Sequence, residues 1–178
     1  MLARDNTLNN KFFKNNDNGK LTFISNNPEK TVCLGIELGN LLQAGDLIAI
    51  NGALGAGKTS LIKGIVKGLK SPDIVTSPTF SIINEYSSTV PIFHFDLYRI
   101  NKLEDIEELG YEEYFYSQGV TLIEWAEIII SYLPEELLLI NIYMDLNNIS
   151  TRKISFEPKG ERYKKIVKEL KAIECIRN

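Results

Sequence analysis

The sequence predicts a single α/β domain, and three observations support this fold class. An apolar run at residues 47–50 leads into a glycine-rich turn, and a helix-compatible run at 60–69 follows that turn. Other short apolar runs of strand type, such as residues 120–124, are separated by helical patterns. The length of 178 residues and the apolar share of 44% suit one compact domain with a full hydrophobic core.

The glycine-rich turn at residues 52–59 has the phosphate-binding, or P-loop, pattern: a glycine, four residues, then Gly-Lys-Thr. Its glycines allow a tight turn that brings backbone N–H groups close to a phosphate, and the following helix points its positive end at the same anion. Lys58 is expected to reach the β- and γ-phosphates, and the Thr59 hydroxyl to hold Mg²⁺. The alternative, a turn that matches the pattern by chance, is disfavoured by the strand and helix beside it.

Charge and cysteine content limit the class of protein. The net charge of −3 gives no strong field that would draw the whole molecule to nucleic acid or to a membrane. Cys33 and Cys175 lie far apart and form no metal-type spacing, which favours a reduced, cytoplasmic protein. No apolar run approaches the roughly 20 residues of a membrane span, and the N-terminus lacks the apolar core of a signal peptide.

The two ends of the chain differ in composition from its middle. Residues 1–20 are rich in asparagine and lysine, which predicts a mobile N-terminal extension before a domain over residues 21–178. Residues 159–178 hold seven Lys or Arg and three Asp or Glu, so the last predicted helix is locally basic. A solvated helix face and a contact with RNA phosphates both fit this composition.

A helix is predicted before the P-loop strand. Asn27-Pro28 indicates an N-cap followed by proline at the first helical position, and the helical pattern runs to about Gln43. Gly35 and Gly39 lower the intrinsic propensity of this helix, so tertiary packing must hold it.

Strand pairs are predicted after the P-loop helix. Residues 81–86 and 91–96 flank a short Ser-Ser-Thr turn, which predicts a β-hairpin. Two further strands, at 137–146 and 152–156, flank the turn at 147–151.

Two helical segments are predicted between these strands. Residues 103–115 are acidic and aromatic; Leu103, Ile106 and Leu109 follow helical spacing, and a glycine comes right after them. Such a segment is typical of a solvated face, but it also fits the mouth of a site or a surface for a basic partner. Residues 128–133 predict a short helix that Pro134 ends.

Two candidate polar side chains follow the P-loop helix. Thr79 lies in a Ser-Pro-Thr loop about 20 residues after the P-loop, where P-loop enzymes place a switch that senses the γ-phosphate. An ordinary polar turn fits that spacing equally well. Asp96 ends a predicted strand three residues before Arg99, a pair that fits metal and phosphate or a surface ion pair of little energetic value.

Glu124 and Trp125 end the predicted strand at residues 120–124. In P-loop proteins a strand beside the P-loop strand carries an acid to the metal, so Glu124 is expected to hold Mg²⁺ directly or through water. Trp125, the only tryptophan, is expected to pack near the nucleotide. The alternative is an ordinary strand end with a core tryptophan. His94, the only histidine, fits a structural role better than a catalytic one.

Five segments of the sequence occur in a characteristic order and spacing. They are, in chain order, Leu54-Gly55-Ala56-Gly57-Lys58-Thr59, Ser77-Pro78-Thr79-Phe80, His94-Phe95-Asp96-Leu97-Tyr98-Arg99, Leu109-Gly110-Tyr111 with Tyr114-Phe115, and Ile123-Glu124-Trp125. A P-loop is shared by very many enzymes, whereas the His-Phe-Asp-Leu-Tyr-Arg and Glu-Trp segments in combination are far more specific. Together the segments resemble the bacterial tRNA threonylcarbamoyladenosine biosynthesis ATPase family, TsaE, over roughly residues 27–160.

The resemblance implies a three-layer α/β fold like that of P-loop NTPases, with a mostly parallel central sheet. It implies Mg²⁺-dependent hydrolysis of ATP to ADP and phosphate. It also implies a role in making N6-threonylcarbamoyladenosine at position 37 of tRNAs that read codons starting with A. In that family the ATPase acts on a complex of two other proteins, TsaD and TsaB, which performs the transfer. Contact with tRNA would be indirect or through the basic C-terminal tail.

The resemblance also assigns site residues by position. The catalytic residues are Lys58, Asp96 and Glu124, and the metal ligands are Thr59 and Glu124. The nucleotide-binding residues are Thr31, Leu54, Gly55, Ala56, Gly57, Lys58, Thr59, Ser60, Thr79 and Trp125. The turn at 147–151 lacks a glycine-arginine pair that is common there, so no arginine contact carries over.

Three other functions compete with this interpretation. A small-molecule kinase would need a lid that carries arginines, but residues 60–120 hold only Arg99. A GTPase would need an Asn-Lys-x-Asp motif after a late strand, whereas residues 101–104 end in glutamate and precede a helix. A non-hydrolysing subunit, whose nucleotide site only gates assembly, would use residues 103–115 as its contact surface.

Overall fold

The computed structural model of the protein describes residues 13–15, 20–76, 81–100 and 104–173. Within these ranges eight strands form one sheet and five α-helices accompany it. The elements are, in chain order, β1 (Phe13–Asn15), β2 (Leu21–Ser25), α1 (Pro28–Leu41), β3 (Leu47–Gly52), α2 (Lys58–Gly68), β4 (Ile83–Tyr86), β5 (Ile92–Asp96), α3 (Glu104–Glu108), α4 (Tyr111–Phe115), β6 (Val120–Glu124), a 3₁₀ helix (Ala126–Ile129), β7 (Leu137–Met144), β8 (Arg152–Lys159) and α5 (Glu161–Ala172).

The strand order across the sheet is β1-β2-β8-β7-β3-β6-β5-β4. The four central strands, β7, β3, β6 and β5, pair in parallel. Antiparallel pairs extend the sheet at both edges, and they include the predicted hairpin of β4 with β5 and the predicted pair of β7 with β8. The predicted α/β fold with a mostly parallel core is confirmed. The carboxyl ends of β3, β5 and β6 therefore meet at one edge, where open α/β sheets bind ligands.

The P-loop strand β3 is buried on both faces, and its side chains alternate between two hydrophobic clusters. Ile48 and Ile50 face the cluster that includes buried residues of α1, α2 and α5. Leu47 and Ala49 face the cluster that includes residues of α3, α4 and the 3₁₀ helix. Two helical layers thus enclose the sheet, as the predicted three-layer arrangement requires.

Helices α1 and α2 lie against each other backbone to backbone. A Cβ atom built on Gly35 would lie 2.3 Å from the carbonyl oxygen of Leu61, and one on Gly64 would lie 2.2 Å from that of Val32. The glycines that weaken α1 as an isolated helix are thus the residues that let α2 approach. As predicted, Asn27 caps α1, because its side chain accepts a hydrogen bond from the Lys30 N–H at 2.7 Å.

Helix α5 is fixed to the beginning of β3. The Arg162 guanidinium donates hydrogen bonds to both Asp46 carboxylate oxygens, at 3.1 and 2.7 Å, and to the Leu41 carbonyl at 2.7 Å. The Leu47 N–H donates to the Tyr163 hydroxyl at 2.8 Å, and burial raises the pKa of that phenol to about 12. Within the described ranges, no helix is long and apolar enough to span a bilayer.

Three findings bear on predicted boundaries. Residues 13–15 form β1, which pairs with β2, inside the predicted N-terminal extension, whose mobility stays a prediction; residues 1–12 and 16–19 lie outside the described residues. The helical spacing that a glycine follows agrees with the structure, because α3 ends at Glu108 and Gly110 adopts a left-handed conformation, with φ of +65°, before α4. The helix predicted at 128–133 is instead a 3₁₀ helix that ends at Ile129.

Candidate active site

The P-loop connects β3 to α2 through glycines in conformations that other residues rarely adopt. Gly52 has a φ of +151°, and a Cβ there would lie 2.6 Å from the carbonyl oxygen of Ile142 on β7. Gly57 is the N-cap residue of α2 with φ and ψ of +105° and 19°. Both positions therefore require glycine, which explains why the chain changes direction so tightly before Lys58.

The Lys58 side chain is folded inward at the start of α2, and Lys58 is only 4% exposed. Its ammonium donates hydrogen bonds to the carbonyl oxygens of Gly52 at 2.7 Å and Ala53 at 3.1 Å. The same nitrogen lies 3.6 Å from the centroid of the Trp125 ring, within the range of a cation–π interaction.

Burial lowers the pKa of Lys58, while the charges of Glu124, Glu127 and Asp96 act in the opposite direction. The site thus holds a desolvated cation whose compensating charges are carboxylates. An anionic ligand such as a phosphate would meet this ammonium at the N-terminal end of α2, where backbone N–H groups also favour negative charge.

Thr59 and Glu124 are in direct contact. The Thr59 hydroxyl donates to the Glu124 carboxylate, with distances of 2.9 Å to Oε1 and 3.2 Å to Oε2. Glu124 pairs with Ile50 of β3 on one side and with Asp96 of β5 on the other. The parallel register of three neighbouring strands thus brings the end of the P-loop strand and two predicted acids to the same edge of the sheet.

The donors at this edge fit Mg²⁺. A hydroxyl and a carboxylate are hard oxygen ligands, and Mg²⁺ is commonly held by one or two such groups together with water and substrate phosphates. Among the described residues, no group of three or more His, Cys, Asp or Glu side chains converges as a metal cage. The donor set is therefore suited to an ion that arrives with a phosphorylated ligand.

Two clefts meet at the P-loop. The first, of about 320 Å³, is lined by Leu54, Gly55, Gly57, Lys58, Thr59, Ser60, Asp96, Tyr98, Glu124 and Trp125. The second, of about 390 Å³, is lined by Asn26, Asn27, Pro28, Thr31, Gly55, Ala56, Gly57, Ser60, Ile149, Ser150 and Arg152. Both volumes are in the range of small-molecule sites, and their shared glycines join a side suited to phosphate and metal with a side suited to a nucleoside.

The clefts bring together the predicted site residues that the structure describes. Lys58, Asp96, Glu124 and Trp125 line the first cleft, and Thr31 lines the second. Thr31 is buried, and its hydroxyl lies 2.8 Å from that of Ser25. Thr79 lies outside the described residues. The roles of all these residues remain predictions.

Trp125 adopts a left-handed backbone conformation, with φ of +62°. Such a conformation is unfavourable for a bulky residue, and strained residues of this kind cluster at functional sites. The indole ring lies with its centroid 5.0 Å from that of Tyr98, so the ring contacts both Tyr98 and the Lys58 ammonium.

Arg152 at the start of β8 was missed by the sequence analysis. Its guanidinium donates to the carbonyl oxygens of Ala56 at 2.9 Å and Gly55 at 3.3 Å, and it also bonds the carbonyls of Ile149 and Thr151. An arginine therefore ties the 147–151 turn to the P-loop, although no arginine contact carried over from the resemblance. The only sequence signal is a cation immediately after a polar turn.

His94 on β5 is fully buried, which agrees with a structural role, but its partner lies in the site. Its Nε2 atom is 3.1 Å from the Glu124 Oε1 atom. A lone strand histidine gives no signal from which this partner could be predicted.

Comparison with known proteins agrees with this architecture. The family model "Threonylcarbamoyl adenosine biosynthesis protein TsaE" matches residues 25–154. The tRNA threonylcarbamoyladenosine biosynthesis protein TsaE of Bacillus subtilis is 41% identical over 153 residues, which are 85% of this chain and 94% of that protein. TsaE of Treponema pallidum is 39% identical over 112 residues, which cover 63% of this chain and 83% of that protein.

A solved structure has the same fold. The crystal structure of Bacillus subtilis YdiB superimposes with a TM-score of 0.71 and 35% sequence identity, and the alignment covers 90% of this chain and 97% of that chain. The family model spans well over half of the sequence, and the match includes the P-loop, Asp96 and Glu124. The chain belongs to the TsaE family of threonylcarbamoyl adenosine biosynthesis proteins.

Proposed function

We propose that this protein is a Mg²⁺-dependent ATPase that hydrolyses ATP to ADP and phosphate. We further propose that its cycle acts on the complex of TsaD and TsaB that adds the threonylcarbamoyl group to adenosine 37 of tRNAs reading codons that start with A. The observation that carries the proposal is the contact of Thr59 with Glu124, at 2.9 Å, directly beside the buried ammonium of Lys58.

ATP binding would replace contacts that the site residues make with one another. The Lys58 ammonium, which donates to the carbonyls of Gly52 and Ala53, would exchange them for oxygens of the β- and γ-phosphates. Backbone N–H groups of the P-loop would bind the same phosphates. The cleft lined by Thr31, Asn27 and Arg152 is the space in which the nucleoside would lie.

Thr59 and Glu124 would hold Mg²⁺ through their hydroxyl and carboxylate oxygens. When bound, this ion would neutralise negative charge on the β- and γ-phosphates. Lys58 would add positive charge on the side of the cleft where the leaving oxygen becomes more negative. Asp96 lines the same cleft in register with Glu124 and would orient the attacking water.

The enzymatic part of the proposal is tested with purified protein. We expect phosphate release from ATP that requires Mg²⁺ and is lost in the Lys58→Ala variant, while Lys63→Ala on the exposed face of α2 retains the wild-type rate. Addition of TsaD and TsaB tests whether the partners increase turnover. Binding of ATP without hydrolysis, even with both partners present, would support the non-hydrolysing subunit instead.

The cellular part of the proposal is tested by depletion. After loss of the protein, mass analysis of tRNA nucleosides should show a fall in N6-threonylcarbamoyladenosine, and the wild-type gene but not the Lys58→Ala gene should restore it. An unchanged level of the modified nucleoside after complete depletion would contradict the assigned role.

A further inference from the structure

Behind the first cleft, three buried polar side chains form a hydrogen-bonded chain that ends at Thr59. The Tyr86 hydroxyl lies 3.2 Å from His94 Nδ1, and His94 Nε2 lies 3.1 Å from Glu124 Oε1. Glu124 in turn accepts the hydroxyl of Thr59. The proposed ATPase cycle assigns no task to either His94 or Tyr86.

The three side chains of this hydrogen-bonded chain are all buried. His94 is 0% exposed, Glu124 3% and Tyr86 7%. The three residues come from the adjacent strands β5, β6 and β4, so the sheet itself fixes the distances between them.

The chemistry of the carboxylate gives the direction of one hydrogen bond. A carboxylate without a proton can only accept, so His94 donates from Nε2 to Glu124 just as Thr59 donates its hydroxyl. The Tyr86 hydroxyl and His94 Nδ1 form the second hydrogen bond. Burial raises the pKa of Tyr86, which keeps this phenol protonated as a donor.

A buried histidine needs a reason at this position. Its neighbours Phe93 and Phe95 pack in the hydrophobic core, and an apolar side chain at residue 94 would avoid the cost of burying a polar ring. The ring is instead held by partners on both nitrogens. The group that gains from this arrangement is Glu124, whose carboxylate receives hydrogen bonds from Thr59 and from His94 among the described side chains.

We propose that His94, held in place by Tyr86, is a positioning residue. It fixes the Glu124 carboxylate towards Thr59, so that the carboxylate and the Thr59 hydroxyl can bind the same Mg²⁺ ion of a Mg²⁺-nucleotide. The inference rests on the proposed function, because it assigns the pair to the same metal-binding acid. It concerns metal affinity and leaves the contacts of the nucleotide itself unchanged.

The experiment compares four variants of the full-length protein. His94→Gln keeps an amide N–H near the position of Nε2, and His94→Leu removes both nitrogens. Tyr86→Phe removes only the hydroxyl. Tyr111→Phe is the matched control, because its hydroxyl contacts Glu112 on the surface of α4 and takes no part in the hydrogen bonds of Tyr86, His94 and Glu124.

The readout uses Trp125, the only tryptophan, which follows Glu124 directly. Mg²⁺ is titrated into ATP-saturated protein, and the concentration at half-maximal change in tryptophan fluorescence is measured. ATP binding is measured separately by calorimetry in the presence of a metal chelator. Thermal unfolding reports stability, and steady-state hydrolysis gives the KM for ATP and kcat.

We expect the half-maximal Mg²⁺ concentration to rise about 10- to 100-fold in His94→Leu. His94→Gln should stay within about threefold of the wild type, and Tyr86→Phe should show a rise of about three- to tenfold. The control should show none. Metal-free ATP binding should not change in any variant. In His94→Leu and Tyr86→Phe, kcat measured at a fixed Mg²⁺ concentration should fall while the KM for ATP stays the same.

Three outcomes are distinguished. If wild-type protein binds Mg²⁺-ATP but His94→Leu and Tyr86→Phe keep the wild-type half-maximal Mg²⁺ concentration, the residues are structural only and this inference is overturned. If His94→Leu does not fold, the Tyr86→Phe result alone decides in the same way. If the wild-type protein binds no Mg²⁺-ATP, the proposed function itself fails.

Discussion

The α1–α2 interface and the candidate active-site cleft are built in opposite ways, although both include α2. At the interface the backbone of one helix touches that of the other, and no atom larger than hydrogen fits on Gly35 or Gly64. At the cleft, the side chains of Lys58, Thr59 and Glu124 are held by one another and by loop carbonyls. The interface leaves no free space between the two helices, whereas the cleft consists of contacts that a ligand could replace.

The difference predicts that stability and the proposed ATP hydrolysis depend on different regions. Contacts between close-packed backbones stabilise the fold and cannot be altered without displacing a helix. Polar contacts at the cleft contribute little net stability, because each is exchanged for water or ligand when it breaks. Substitutions in the two regions should therefore change different measurements.

The largest expected effect is on catalysis. Lys58→Ala should lower the rate of ATP hydrolysis by about 10²- to 10³-fold, because it removes the cation that would stabilise charge on the transferred phosphate. The thermal midpoint should change by no more than about 3 °C, since the variant also removes a desolvated charge. Phosphate release and thermal unfolding measure the two quantities.

Lys63→Ala, one turn along α2 and exposed, is the control and should match the wild type in both. A Lys58→Ala protein that hydrolyses ATP at the wild-type rate would remove the basis for the assigned site. A variant that is inactive because it is unfolded would contradict the proposed separation of the two regions.

The next effect is on stability. Gly64→Ala should lower the free energy of unfolding by about 2–3 kcal/mol, because the new methyl group would collide with the Val32 carbonyl and push α1 from α2. Denaturant unfolding measures this change, with Lys63→Ala again as control. The folded variant should retain most of its hydrolysis rate. An unchanged free energy of unfolding would show that the helices separate without cost.

Much of the fold could be predicted because its signals are local. The P-loop, the cap at Asn27-Pro28 and the hairpin of β4 with β5 each depend on a few neighbouring residues. The strand order could not be predicted that way, because β3 pairs with β6 and β7, which lie some 70 and 90 residues later in the chain. Gly110, which the sequence places right after a helical pattern, is a local signal of the same kind as the cap at Asn27-Pro28, since it separates α3 from α4 in a left-handed conformation.

The residues of the candidate site likewise divide into those with a local sequence signal and those without one. Lys58 and Thr59 follow from a contiguous motif, and Glu124 follows from its place at a strand end. Arg152 and His94 act through contacts with Ala56 and Glu124 that span 96 and 30 residues of sequence. Periodicity and spacing carry no record of such pairs, so only the folded chain shows them.

A smaller effect is expected at Arg152, which lies between the two kinds of region because it contacts backbone but borders the cleft. Arg152→Met should raise the KM for ATP about five- to tenfold, because the P-loop loses charge-assisted hydrogen bonds to the carbonyls of Gly55 and Ala56. The value of kcat should stay within about twofold. Steady-state kinetics give both parameters.

Lys153→Met, at the neighbouring exposed position, is the control and should leave the KM for ATP unchanged. If Arg152→Met lowered kcat at constant KM, the guanidinium would be acting on the reaction itself, and its role in shaping the loop would be wrong.

The smallest effect tests the ring over the lysine. Trp125→Phe should lower hydrolysis only about two- to fivefold, because phenylalanine keeps an aromatic face near the Lys58 ammonium but with a weaker quadrupole. Trp125→Gly should lose more activity, although glycine relieves the backbone strain at φ of +62° and so offsets part of the lost packing in thermal unfolding. A Trp125→Phe rate as low as that of Lys58→Ala would mean that the indole does more than hold the ammonium. In that case the cleft would tolerate substitution no better than the helix interface, and the contrast between the two regions would fail.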